Sequence, residues 1–381
     1  MKKMVIFIIS FSFFILAYSP ILSAGILIVS SLILYNNRNF ILTTIYFFIL
    51  SVSLASIYSY QTKDDATDFL IYYQYYHTVF NSFSFSDSSF EPGYYVLNKV
   101  ISEFGLISEI GFSIVMNTII FMANYFSLYF FISKKYPEIR NFFLVLMLSF
   151  VLMKLGSLAL LWRQSLALPF LISILAVNNK PGKVILFLLA ISFHYSSIII
   201  APLVYYIDSL TLSKRKLITF ILPVGFLWSV GLGSSIHSIL PGFISNKLAF
   251  SLIEPRLEYF MDAVKTIIFF IPVFILISLD FLLNKGFVKA RGLTKESSII
   301  IFVFLFIMSF SLVPHSFRFI YPLSVSLISI YSVVFLNRIK NMALYYFIFC
   351  VLIILSFSRF ILLDTVVGYE LFYSSPFGFL I

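Results

Sequence analysis

Apolar runs occupy nearly the whole chain, and short groups of Lys and Arg separate them. Hydrophobic residues make up 61% of the 381 residues and charged residues 11%, and the mean hydropathy is +1.02. A soluble domain has no interior large enough for so much apolar surface. We therefore expect an all-α polytopic membrane protein, folded as a single domain over residues 1–381, with about 11 to 13 transmembrane or re-entrant helices.

The N-terminal run has two readings. Lys2 and Lys3 before an apolar core, with Ser23 and Ala24 further on, are typical of a cleaved secretory signal. Apolar sequence continues through Leu34, however, which favours an uncleaved membrane anchor.

The basic groups predict the orientation of the chain. The net charge of +10 does not indicate nucleic-acid binding, because the cations lie between apolar runs rather than on one soluble surface. Positive charge marks cytoplasmic segments, which here are Lys2–Lys3, Arg38, Lys134–Arg140, Lys180–Lys183, Lys214–Lys216, Lys285–Lys295 and Arg338–Lys340. The runs between them then form hairpins, two of them broken near Pro20 and Pro314. Hydrophilic loops at about 61–109 and 241–262 then face outside.

Polar side chains fall at the tips of these hairpins, and every tip lies on the outer side. Arg163, His194 and Arg318 occupy such positions. In the hairpin at 184–212 each arm has only about a dozen residues, or about 18 Å of helix, which is too short for a full crossing. Such arms predict a water-filled cavity at the outer face.

Arginine in an apolar run needs a partner or water, because its guanidinium stays charged. Arg163 lies in LLWRQSLALPF, and Arg318 lies in HSFRFIYPL. Their planar donors match phosphate oxygens, so a phosphate-headed lipid is one ligand they fit, with Arg256 in the outer loop as a further candidate. A structural ion pair or an interfacial anchor remains the alternative.

A proton acceptor is expected beside these cations. His194 is the candidate, since it is the only side chain between Val184 and Pro202 that titrates near neutral pH. A histidine that is only hydrogen-bonded within the helix bundle is the alternative. No HExxH or HxxxH spacing occurs, so a histidine metal site is not expected.

The acidic segment DDATD at 64–68 allows two interpretations. Its spacing resembles the DDxxD motif by which prenyl-diphosphate enzymes hold magnesium, but a good second acidic cluster is missing. Alternatively, Asp68 with Tyr72 and Tyr76 forms a carboxylate and aromatic ledge suited to sugars, or a plain interfacial helix.

An ordered set of short motifs resembles the EpsG-like branch of Wzy polysaccharide polymerases, over about residues 40–336. The motifs are Thr67-Asp68-Phe69 with Tyr72, Glu91-Pro92-Gly93-Tyr94, Arg163-Gln164 with Ala167, Phe193-His194-Tyr195-Ser196, and Arg318-Phe319 with Tyr321. The chain departs from the family at Lys63 and Ala66, where an arginine and a glycine usually precede the aspartate.

The resemblance implies a metal-independent glycosyltransferase of the GT-C kind in the bacterial inner membrane, without a cofactor. Such enzymes polymerise undecaprenyl-diphosphate-linked oligosaccharide repeat units into O-antigen or a related surface polysaccharide, at the periplasmic or exterior face. The implied partners are these lipid-linked glycans and the bilayer, with a chain-length regulator and a flippase. Nucleic acid is not among them.

We assign three expected roles to the motif residues and to Arg256 in the outer loop. The catalytic residues are His194, Glu91 and Asp68, and the diphosphate-binding residues are Arg163, Arg318 and Arg256. The residues that position the sugar are Tyr72, Gln164, Tyr321 and Tyr94. Two other functions stay open: an O-antigen ligase shares the chemistry, and a lipid-linked oligosaccharide flippase would place charges along a central cavity.

Overall fold

The computed structural model describes residues 2–34, 37–59, 69–81, 90–153, 155–198, 270–279, 294–310 and 314–362, together with residues 200, 204, 205, 207 and 268. Side chains at 308–321, 342 and 356–362 lie outside this description. The described part is helical and contains no β-strand. The helices are α1 (Lys2–Leu16), α2 (Pro20–Ser30), α3 (Phe40–Tyr58), α4 (Phe69–Asn81), α5 (Pro92–Ser102), α6 (Glu109–Lys135), α7 (Phe142–Leu152), α8 (Leu155–Leu160), α9 (Trp162–Ala176), α10 (Lys180–Phe193), α11 (Lys295–Phe310), α12 (Pro314–Leu336) and α13 (Met342–Leu362).

The fold class is confirmed in so far as the described residues are all-helical and rich in apolar helices. Among the described helices, α3 and α6 are long and apolar enough to cross a membrane. Several shorter apolar helices accompany them, including α2, α7, α9 and a stretch at Phe270–Leu279. The GT-C architecture stays a prediction.

The predicted helix breaks at two prolines are confirmed. Pro20 is the first residue of α2, and the hydroxyl of Ser19 accepts a hydrogen bond from the backbone N–H of Leu22 at 3.4 Å. Pro314 likewise begins α12. Proline suits the first helical turn because that position needs no backbone donor.

The chain divides into two compact units, one comprising Met1–Tyr205 with Phe357–Ile381 and the other Tyr206–Ser356. In the second unit, α11 packs against α12. A 2.7 Å ion pair between Arg338, just after α12, and Glu296, in the first turn of α11, ties their ends together.

In the first unit, α3 and α6 run antiparallel. Phe40 at the start of α3 contacts Tyr129 near the end of α6, with ring centroids 5.1 Å apart, and Tyr58 at the end of α3 contacts Phe121 at 6.0 Å. Arg38 donates hydrogen bonds to the carbonyls of Pro137, at 2.9 Å, and Ile139. Two of the basic segments therefore meet at one end of this unit, beyond the last turn of α6.

Helix α9 keeps its shape around an internal proline. Pro169 has no N–H, so the carbonyl of Ser165 loses the donor that a helix normally supplies four residues later. The side-chain amide of Asn124, on α6, donates to that carbonyl at 3.2 Å. This bond between helices satisfies the freed carbonyl and holds the first half of α9 against α6.

The described part of the 61–109 segment is largely helical rather than an open hydrophilic loop. Tyr72 and Tyr76 on α4 are 3% and 0% exposed. The hydroxyl of Tyr76 donates to the carbonyl of Gly105 at 2.7 Å, and Gly105 adopts a left-handed backbone with a φ of 101°. The aromatic face of α4 is thus packed into the protein rather than presented to water.

Candidate active site

Glu91 is held at the start of α5 with its carboxylate directed away from that helix. It is the N-cap residue, its backbone is extended, and Pro92 follows at the first helical position. Its side chain makes no capping hydrogen bond. The carboxylate is therefore available to other segments.

Both oxygens of this buried carboxylate bind groups from distant parts of the chain. Oε2 accepts a hydrogen bond from Nη1 of Arg163 at 2.8 Å. Oε1 lies 3.1 Å from Nδ1 of His194 and accepts a weaker bond from the backbone N–H of Tyr195 at 3.4 Å. The Glu91 side chain is only 1% exposed, so these contacts replace water almost completely. We call Glu91, Arg163 and His194 the carboxylate cluster.

Aromatic rings fix the position of the Arg163 guanidinium. Its central carbon lies 4.6 Å from the ring centre of Phe90 and 5.9 Å from that of Tyr72. Tyr72 in turn stacks on Trp162 at 5.3 Å, and the indole N–H of Trp162 donates to the side-chain carbonyl of Asn117 on α6 at 2.9 Å. The arginine is thereby held between Tyr72 on α4 and Phe90 just before α5, and its neighbour Trp162 is hydrogen-bonded to α6.

Gly93 lets α5 approach the end of α10, where His194 lies. A Cβ added at Gly93 would lie 2.8 Å from the backbone oxygen of Ser192 and 2.7 Å from its hydroxyl, which is closer than real Cβ atoms come. His194 is the C-cap residue of α10, with extended backbone. The close packing of these two helix ends therefore sets the distance between Glu91 and His194.

The charge state of Glu91 fixes the tautomer of His194. Burial alone would raise the pKa of Glu91, but the hydrogen bond from His194 and the charge of Arg163 outweigh it and lower that pKa to about 2. An ionised carboxylate can only accept, so Nδ1 of His194 must carry a hydrogen. In the neutral imidazole, Nε2 is then the basic nitrogen.

One family model matches most of the chain. It is the model of the EpsG family, and it matches residues 44–374. The chain belongs to the EpsG family. This is the family of EpsG-like polysaccharide polymerases, so the suspected resemblance is confirmed. No curated protein and no solved structure matches the chain.

Family membership and the apolar helices together identify a membrane protein with a polysaccharide-polymerase-like role. Within this EpsG-family chain, the structure brings together four of the sequence-predicted residues: Glu91, Arg163, His194 and Tyr72. Gln164 adjoins them in sequence, and its buried side-chain carbonyl has no hydrogen-bond partner among the described residues.

Other predicted residues have different outcomes. Tyr94 is 0% exposed and packs against the rings of Tyr72 and Tyr75. It therefore helps to hold Tyr72 in place beside Arg163. Asp68 and Arg256 lie outside the described residues, as does DDATD. The side chains of Arg318 and Tyr321, on α12, also lie outside them. Within the described residues, no three His, Cys, Asp or Glu converge as a metal site.

Sequence reasoning missed the direct contact between Glu91 and Arg163. The cation in an apolar run indicated that a partner exists. No pattern selects Glu91 among the acids of the 61–109 segment, since the two residues are 72 positions apart. The sequence also did not indicate that Phe90 and Trp162 pack around Arg163 and Tyr72. Nor did it indicate that Gly93 sets the distance between α5 and α10, beyond the motif resemblance.

Proposed function

We propose that this EpsG-family protein is a glycosyltransferase that polymerises undecaprenyl-diphosphate-linked oligosaccharide repeat units into O-antigen or a related surface polysaccharide. The observation that carries the proposal is the buried carboxylate–imidazole pair of Glu91 and His194, with Arg163 on the second carboxylate oxygen. Such a pair supplies a positioned base, which is what an acceptor hydroxyl requires.

The reaction is a displacement at the anomeric carbon of the lipid-linked donor. The acceptor hydroxyl oxygen forms the new bond to that carbon, the bond to the diphosphate oxygen breaks, and lipid diphosphate leaves with the electron pair. Nε2 of His194 takes the hydroxyl proton. The ionised Glu91 stabilises the resulting imidazolium and holds its ring in place. Its low pKa makes Glu91 itself a poor proton acceptor, so His194 is the base.

Arg163 has a double role in this proposal. Nη1 holds Glu91 and a further N–H group donates to the hydroxyl of Tyr72, while Nε has no hydrogen-bond partner among the described residues. A guanidinium has five N–H donors, so those remaining can bind the leaving diphosphate. Arg318 and Arg256 are the further candidates for that ligand. Permanent cations stabilise the growing negative charge without a divalent metal.

The site is proposed to face the outside of the cell, as part of a multi-pass protein of the bacterial inner membrane. Trp162, beside Arg163, contacts the first turns of α6 through Phe112 at 5.6 Å. The segments around Arg38 and Lys135 lie at the other end of α6, which has 27 residues and is about 40 Å long. Since basic segments stay in the cytoplasm, the carboxylate cluster belongs on the opposite face.

The direct test is synthesis by purified protein in proteoliposomes given a synthetic undecaprenyl-diphosphate-linked repeat unit and no nucleotide sugar. We expect a ladder of products that differ by one repeat unit and that persists in EDTA. A ladder that vanishes with EDTA and returns with magnesium would overturn the metal-independent mechanism and direct attention to DDATD. A single transfer to lipid A core, without a ladder, would identify a ligase instead.

A further inference from the structure

Helix α5 buries two polar residues beside Tyr94, Tyr95 and Ile101, and it exposes a row of large apolar ones. Its buried residues include Asn98, at 0% exposure, and Ser102, at 6%. Its exposed residues include Val96 at 58% and Val100 at 52%, and Phe104, just beyond its end, is 84% exposed. The three apolar positions are four residues apart, so they form one stripe along the helix. Water does not favour such a surface, whereas hydrocarbon does.

The neighbouring helix α10 also exposes large apolar side chains. Ala190 is its only buried residue, and Val184, Ile185 and Leu188 are each more than half exposed. A helix that packs against α9 and α5 yet leaves most of its apolar side chains exposed belongs in lipid when the chain is a membrane protein. Because Gly93 holds the start of α5 against the end of α10, the stripe on α5 begins next to this lipid-facing surface.

A charged pair borders the stripe on one side. Nζ of Lys99 lies 3.3 Å from Oε1 of Glu103, and their side chains are 25% and 69% exposed. An apolar stripe with a charged border is the arrangement of helices that lie in the plane of a membrane interface. The charged border marks the side of α5 that meets water.

We propose that α5 is an interfacial helix whose stripe of Val96, Val100 and Phe104 contacts the acyl chains of the bilayer. The carboxylate cluster, at the first turn of α5, then lies at the depth of the lipid headgroups. A phosphate carried on a lipid can reach it by lateral diffusion, without leaving the membrane. This placement rests on exposure and composition alone, so it stands whether or not the protein transfers sugars.

The test uses single cysteines in a Cys350→Ser background, each labelled with a nitroxide in the full chain reconstituted in liposomes. Cys350 is the only cysteine, so each variant carries one label. At Val96→Cys and Val100→Cys we expect molecular oxygen to collide with the label more often than a water-soluble nickel complex does. At Glu103→Cys, the matched control on the same helix, the order should reverse.

Two results would overturn the proposal. Frequent nickel collisions at Val100→Cys, equal to those at Glu103→Cys, would place the stripe in water. Infrequent collisions with both reagents would show that protein, such as a second copy of this chain, covers the stripe. All three positions are exposed on the surface, so the substitutions leave packed side chains untouched.

Discussion

Two buried carboxylates, one in each compact unit, bind arginine in nearly the same way, but only Glu91 also binds a histidine. Glu91 lies 2.8 Å from Arg163, and Glu296 lies 2.7 Å from Arg338. Glu296 uses one oxygen, and its Oε2 has no hydrogen-bond partner among the described residues. Glu91 uses both oxygens, the second for His194 and the N–H of Tyr195. The difference is the imidazole, which in the proposed mechanism makes the pair a positioned base.

The surroundings of Glu296 and Glu91 also differ, because Glu296 joins two helices whereas Glu91 contacts several segments. Glu296 belongs to the first turn of α11, where the helix dipole favours negative charge, and it ties α11 to the end of α12. Glu91 precedes its helix and spans α5, α9 and the end of α10, while aromatic rings enclose its arginine. One pair fastens two helix ends, whereas the other orients a titratable group. Substitutions that treat the two pairs alike should therefore have unlike effects.

The largest effect is expected at the base itself. His194→Ala should lower the rate of polymerisation about 100- to 10,000-fold, the usual loss when a general base is removed, with little change in substrate binding. His77→Ala is the matched control, because His77 contacts Tyr73 and Tyr76 rather than the carboxylate cluster. The measurement is the initial rate in proteoliposomes at equal amounts of folded protein. A normal rate for His194→Ala would place the base elsewhere.

A smaller loss is expected when arginine is replaced by lysine. Arg163→Lys should lower the rate about tenfold or more, because an ammonium cannot hold Glu91 and a phosphate oxygen with a planar fork. Arg338→Lys should leave the rate per folded molecule unchanged, since a single donor suffices for Glu296. Equal losses in both variants would show that the two ion pairs play the same structural role.

A change in the packing of α5 against α10 should act only through the distance between Glu91 and His194. Gly93→Ala would force its new methyl group against the backbone of Ser192, so α5 and α10 must separate, at about 1 to 3 kcal/mol of stability. The rate should fall as His194 moves away from Glu91. At Gly182→Ala the added atom meets the side-chain ends of Asn179 and Val177. Because the Asn179 amide can rotate away, we expect a smaller loss of stability than at Gly93→Ala. Thermal unfolding and initial rates together check this.

The smallest effect is on stability in acid. The pKa of Glu91 is about 2 in the folded protein against an ordinary 4.5, so its ionised form stabilises the fold. That contribution is complete above about pH 4.5 and is lost as the pH falls towards 2. Glu91→Gln should remove this part of the pH dependence of the unfolding temperature in detergent. An unchanged acid profile would mean that the carboxylate gains nothing from Arg163 and His194.

The sequence allowed local features to be predicted and left tertiary contacts open. The bounds of α3 and α6 follow from apolar run length, and the breaks at Pro20 and Pro314 follow from proline chemistry. The contacts of Glu91 depend on side chains 72 and 103 positions away, which no local period encodes. The burial of Tyr72, which helical spacing alone left undecided, is likewise set by Trp162 and the helices around it.

The central claim is that Glu91 orients a base whereas Glu296 only fastens two helices. It is tested most directly by the single-turnover rate of bond formation in Glu91→Gln and Glu296→Gln, with equal folded protein and saturating lipid-linked repeat unit. Glu91→Gln should lose about 100- to 10,000-fold, because an amide can neither fix the tautomer of His194 nor stabilise its imidazolium. Glu296→Gln should react at the wild-type rate while unfolding at a lower temperature. A wild-type rate for Glu91→Gln, or equal losses in both variants, would contradict the account.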